Sequence, residues 1–310
     1  MEGSGTKALG AVAVLVAGLW AGAASATSIG VSMAYFDDNW LTNVRNAIDR
    51  EAKADGVQVQ YEDAQGDIGK QLSQMQNFIG SHVDVMIVNP VDTSATRQMT
   101  KLAVDARIPL VYVSRKPDET TLPPKVVYVG SDETVSGKLQ GEEVSRLLDG
   151  KGDVVILMGE LATNTAVIRT EGVEKVFAGH PGIRVVQKET ANFQRVPAID
   201  LVNNLLTAGT HFDAIAANND EMAIGAIMAL QQAGRDPSKV VIAGIDATPD
   251  ALDEMAKGNL ATTVFHNAKG QGKLAVQTAL RLVKGEAVDP FNWVPFELVT
   301  RENYKEYLQR

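Results

Sequence analysis

Short apolar runs rich in β-branched residues alternate with longer amphipathic stretches along nearly the whole chain. The pattern predicts a strand over Ile29–Tyr35, then a helix over Leu41–Asp55 with Val44, Ile48 and Ala52 on one face and Gly56 placed to end it. A strand over Val57–Tyr61, a helix over Ile68–Ile79, a buried strand over Val83–Val88, a helix over Thr93–Asp105 and strands over Ile108–Val113 and Val126–Val129 follow. The alternation then restarts with helix Asp132–Leu148, strand Asp153–Met158, helix Ala166–Ala178, strand Ile183–Gln187 and helix Pro197–Leu206. Strand Asp213–Ala217, helix Glu221–Gln232, strand Val240–Ile245, helix Pro249–Lys257, strand Ala261–His266, helix Gly270–Val283 and a late strand Val294–Val299 complete it. Strands separated by long helices imply parallel βαβ units. The expected fold class is α/β, with two doubly wound parallel-sheet lobes and a switch near Val129–Asp132.

In an open parallel sheet the carboxyl ends of the strands form the ligand crevice. Polar and aromatic residues collect there. Asp38 and Trp40 follow the first strand, Asn89 ends the third, and Ser114-Arg115 ends the fourth. Phe193 and Arg195 follow Ile183–Gln187, and Asn219-Asp220, Asp246 and His266 end later strands. Several have a second reading: Asn89 as the start of a turn before Pro90, Asp220 as a helix cap, Asp38 as a solvated loop carboxylate. Thr248, followed by Pro249 at the first helical position, already caps its helix and leaves Asp246 without a local task. As a group these residues suit a polyol: carboxylates accept, guanidinium groups donate and amides do both, while Trp40 and Phe193 offer a wall to the C–H face of a ring. If His266 touches the ligand, affinity is expected to change across roughly pH 6–7, where an unperturbed imidazole titrates.

Composition narrows the classes. Residues 8–23 are almost all small or apolar, Lys7 precedes them and Ala24-Ser25-Ala26 follows, the arrangement of a secretory signal peptide. The mature chain is therefore expected from Thr27, in the periplasm, and its 284 residues (310 less 26) exceed one typical domain. With no Cys there is no disulfide framework, no thiolate metal site and no lipid-bearing Cys to tether an exported protein. A net charge of −9 without a basic patch argues against nucleic acid. The four His residues lack metal-ligand spacing and no nucleophile elbow is present, so no enzyme, metal or cofactor is expected. Gly270-Gln271-Gly272-Lys273-Leu274-Ala275 matches a dinucleotide fingerprint but lies too near the end for a βαβαβ half to follow, so its glycines are read as close-packing positions.

The segments Tyr35-Phe36-Asp37-Asp38-Asn39-Trp40, Val88-Asn89-Pro90, Gly130-Ser131-Asp132, Asn219-Asp220-Glu221-Met222-Ala223 and Gly244-Ile245-Asp246-Ala247-Thr248-Pro249-Asp250 carry a resemblance. Over nearly all of residues 27–310 the chain resembles the periplasmic sugar-binding proteins of ABC importers, of the ribose-binding type. The resemblance implies two Rossmann-like lobes, at 27–131 plus 267–294 and 132–266 plus 295–310, joined by a three-crossover hinge. It implies a monomer that delivers a small polyol or sugar to an ABC permease and its ATPase, with a chemoreceptor as a further partner. It places ligand contacts at Asp38, Trp40, Asn89, Arg115, Arg169, Phe193, Asn219, Asp246 and His266; Arg169 enters on this ground alone.

Ribose binders of this type carry Asp where the chain has Ser114, Gln where it has His266 and paired Phe where it has Trp40-Leu41. Tyr35–Trp40 and Arg115-Lys116-Pro117-Asp118 are more similar to the inositol- and rhizopine-binding branch. Myo-inositol is the expected ligand, with ribose or another monosaccharide as the alternative. Sugar-responsive transcription regulators share the two-lobe core, but they begin with a helix-turn-helix, not an export signal.

Overall fold

The computed structural model describes residues 1–2 and 26–310. The export signal expected over residues 1–26 lies outside the described residues apart from its ends.

The chain runs β1 (Ser28–Met33), α1 (Asn39–Ala54), β2 (Gln58–Asp63), α2 (Ile68–Gly80), β3 (Val85–Val88), α3 (Thr96–Ala106), β4 (Leu110–Val113) and β5 (Val126–Gly130). It continues through α4 (Glu133–Leu147), β6 (Lys151–Met158), α5 (Asn164–Phe177), β7 (Gly182–Thr190), α6 (Arg195–Thr207), β8 (Ala214–Ala217), α7 (Asp220–Gln232) and β9 (Val241–Ala243). The last elements are α8 (Pro249–Lys257), β10 (Thr262–His266), α9 (Ala268–Val283), β11 (Phe291–Trp293) and β12 (Phe296–Thr300).

Two six-stranded sheets form, in the orders β11-β5-β4-β3-β1-β2 and β12-β10-β9-β8-β6-β7. All pairs are parallel except β12, which lies antiparallel to β10. Helices cover both faces of each sheet, so β3, β4, β5 and β8 are buried throughout and read as continuous apolar runs. The chain crosses between the lobes three times, at β5–α4, β10–α9 and β11–β12. Val294 N donates to Gly130 O at 2.7 Å, which ties the first crossing to the third.

Gly270 and Gly272 lie in α9, and a Cβ on Gly272 would stand 2.6 Å from Ala47 Cβ and from Val44 O of α1. The glycine therefore lets two helices touch, as expected of the fingerprint-like segment. The late strand expected over Val294–Val299 forms as β12 from Phe296, and an unexpected strand, β11, precedes it in the other sheet. Pro295 has no N–H to donate to a ladder, and around it the chain leaves the first sheet and enters the second. The strand expected over Val240–Ile245 stops at Ala243, and the backbone beyond it turns to φ 133° at Asp246 and 53° at Ala247. No helix of the described residues is long and apolar enough to cross a membrane.

Candidate ligand-binding cleft

The carboxyl ends of the two sheets face each other across a cleft of about 390 Å³. From the first lobe come Asp38 and Trp40 at the start of α1, and Ser114 and Arg115 after β4. From the second come Arg169 on α5, Phe193 after β7, Asn219 before α7, Asp246 after β9 and His266 at the end of β10. Thus eight of the nine expected positions line one space. Asn89 is not among its lining residues: its Nδ2 donates to Val113 O at 3.0 Å and its Oδ1 accepts from Ala34 N, so the amide staples three strand ends.

Local structure explains how each group is held. Asp38 caps α1, accepting from Leu41 N at 2.7 Å, and Asn219 caps α7 while its Nδ2 donates to Phe193 O at 3.0 Å. Phe193 lies over Gly159, where a Cβ would stand 2.0 Å from the ring. Ser114, Phe193, Asp246 and Ala247 all have φ between 53° and 133°, each costing about 1–3 kcal/mol. Such strain around one cleft marks a place where position outweighs comfort. Asp220 neither caps α7 nor lines the cleft. It accepts from Thr248 N at 2.8 Å and Thr263 Oγ1 at 2.7 Å, bracing the loop that carries Asp246, and burial pushes its carboxyl up to about 6.

Charge in the cleft is unevenly satisfied. Arg169 is committed to Glu133, with Nε to Oε2 at 2.7 Å, and to Asn218 O at 2.6 Å. Arg115 Nη1 donates to Pro90 O and Val91 O, each at 3.0 Å, and its Nη2 donates to Glu160 Oε2 at 3.0 Å. Asp38 and Asp246, by contrast, each keep one carboxylate oxygen without a protein donor among the described residues. Burial holds both carboxyls above their ordinary range, Asp246 well above it. The carboxyl oxygens left without a protein partner face the cleft, which suits a neutral ligand rich in hydroxyls.

His266 is packed rather than free. Its ring stacks on Trp40 at 3.9 Å and 11°, tilts against Phe296 at 4.7 Å, and stands 3.3 Å from Asp246 Oδ1 through Nδ1. Gln271 Nε2 donates to His266 Nε2 at 2.7 Å and lies 3.0 Å from Ser131 Oγ, linking the cleft to the first crossing. Burial, then Arg169, hold the imidazole well below its ordinary value, so the fold disfavours the charged form and moves its titration to the acid side of the window expected from the sequence. Trp40, meanwhile, gives one ring face to His266 and its Nε1 to His266 O at 3.0 Å.

Glu133, Glu160 and Gln271 were not singled out from the sequence. An acid in a first helical turn reads as a partner of the helix dipole, and only the fold brings Glu133 to Arg169. Asp153, His211 and Asp213 also lie together, far along the second sheet, but Arg184 takes both Asp153 oxygens at 2.8 Å.

Residues 29–287 match the model of the periplasmic binding protein domain. The chain belongs to the periplasmic binding protein family. It is 53% identical over 300 residues, 96% of this chain and 97% of the other, to a Rhizobium meliloti protein named for rhizopine binding. An ABC transporter solute-binding protein from Bacillus halodurans C-125 with bound myo-inositol superposes with a TM-score of 0.87 at 42% identity, covering 91% of this chain and 97% of that one. A Caulobacter myo-inositol-binding protein bound to myo-inositol gives 0.85 at 29% identity, with 91% and 97% covered. As a periplasmic binding protein, the chain has the family's two α/β lobes with parallel-sheet cores.

Proposed function

We propose that this periplasmic binding protein captures a neutral cyclitol, myo-inositol or a close relative, between its lobes and hands it to an ABC permease. The observation that carries the reading is the cleft itself: two arginines already paired inside the protein, beside two buried carboxylates with oxygens to spare. Ligand hydroxyls would donate to Asp38 and Asp246, Asn219 would offer either partner, and Phe193 would cover C–H surface. Two relatives holding myo-inositol, one at 42% identity, support the cyclitol over ribose.

In this reading residues 1–26 direct export and the protein works in the periplasm as a binder without catalysis. The lobes are 27–131 plus 267–294 and 132–266 plus 295–310, and the crossings near Ser131, His266 and Trp293–Pro295 absorb closure. A thermal-shift panel of cyclitols and sugars tests it, because ligand bound only to the folded protein raises its melting temperature by mass action. Myo-inositol should give a larger shift than ribose at equal concentration. A panel in which no polyol moves the transition would sink the reading.

A further inference from the structure

The loop from Gly159 to Thr163, between β6 and α5, belongs to the second lobe but touches the first at several points. Ala162 O accepts from Thr93 N at 3.2 Å, and just beyond the loop, at the start of α5, Asn164 Nδ2 donates to Asp118 Oδ1 at 2.5 Å. Between these neutral or exposed contacts lies one charged pair largely withdrawn from water. Arg115 Nη2 meets Glu160 Oε2 at 3.0 Å, with side-chain exposures of 8% and 15%. Tyr35 of the first lobe shares the same corner: burial first, and the Glu160 carboxylate next, push its phenol up to about 12.

Glu160 lines the outer mouth, a space of about 700 Å³ with Tyr35 and Arg115, and not the inner cleft. Its carboxylate reaches Arg115 only when the lobes are together. Separation would return Glu160 to water and leave Arg115 Nη2 without its carboxylate partner. A contact present in one of two conformations biases the equilibrium towards that conformation. Charge assistance and partial burial make this pair stronger than an exposed one.

We propose that Glu160 is a latch, a positioning residue that captures Arg115 on closure and slows ligand escape; the proposal rests on the reading of the cleft as a closing polyol site. In Glu160→Gln the side chain keeps its size and loses its charge. The dissociation rate of the polyol that binds the wild type should rise about tenfold, with the association rate within about twofold, because interface pairs act mainly on escape. The melting temperature of the ligand-free protein should fall only slightly, since only its closed fraction carries the pair, whereas loss of a merely structural contact would lower it in the whole population. An unchanged dissociation rate overturns the proposal.

Interlobe distance gives a readout that needs no ligand. The chain has no Cys, so spin labels at Lys101→Cys and Lys175→Cys, one exposed site on each lobe, are placed without further changes. Ligand-free wild type should contain a short-distance population that Glu160→Gln reduces, and identical distributions would overturn the latch. If no polyol binds the wild type, the cyclitol reading falls, while these distances still decide the role of Glu160.

Discussion

Burial holds the Asp246 carboxyl well above the ordinary carboxylate range; Arg169 opposes this, and Asp220, Asp38 and Glu133 add to it. A raised folded-state value means that ionisation is disfavoured in the folded protein, so at neutral pH the group lowers stability. Asp246→Asn should therefore leave the ligand-free melting temperature unchanged or raise it. Polyol affinity should fall by about 2–5 kcal/mol, at least roughly thirtyfold, because ligand hydroxyls lose a buried anionic acceptor. Calorimetry beside a melting curve separates the two, and a large stability loss with unchanged affinity would make Asp246 structural. His266 shifts the other way. As pH falls below about 6.5 the unfolded chain takes up a proton that the folded imidazole refuses, so stability is lost on acidification by up to about 1.4 kcal/mol per unit. The stability advantage of the wild type over His266→Gln should therefore be smaller at pH 5 than at pH 7.5, and a constant difference would place the imidazole outside this linkage.

Loop geometry fixes these side chains, and one glycine tests it. Gly159→Ala places a methyl 2.0 Å from the Phe193 ring, which must leave its place over the cleft. Polyol affinity should drop about tenfold while far-ultraviolet circular dichroism stays the same; unchanged affinity would mean that Phe193 makes no contact. The alternation of strands and helices was legible because each buried strand is an unbroken apolar run and each helix carries a face. Strand-end positions were legible for the same reason: Asn219 and Asp246 stand where such runs stop. What stayed hidden depends on distance in sequence. Glu133 meets Arg169 across 36 positions and Glu160 meets Arg115 across 45, and neither partner is marked by spacing. Pro295 was visible as a residue, but only the two sheets show that a strand before it, β11, belongs to one lobe and the strand after it to the other. Asn89 sits at a strand end like the others, yet its amide is spent on Ala34 and Val113.

At the scale of the molecule, a ligand that touches both lobes favours their approach by its differential contacts in the closed form. Small-angle scattering should show a smaller radius of gyration once polyol is added, and an unchanged radius would argue against hinge motion. In the proposed reading closure explains why the cleft is built from both sheets, and the cleft chemistry decides which ligand closes it. Unpaired carboxylate oxygens favour hydroxyl donors, and sites made of hydrogen bonds reject analogues that lack one. Titration calorimetry of ligand-free protein with myo-inositol, ribose, glucose and galactose tests this most directly. The account predicts that myo-inositol binds at least about tenfold tighter than ribose, a difference of about 1.4 kcal/mol. Ribose or a hexose binding tenfold tighter than myo-inositol would contradict it.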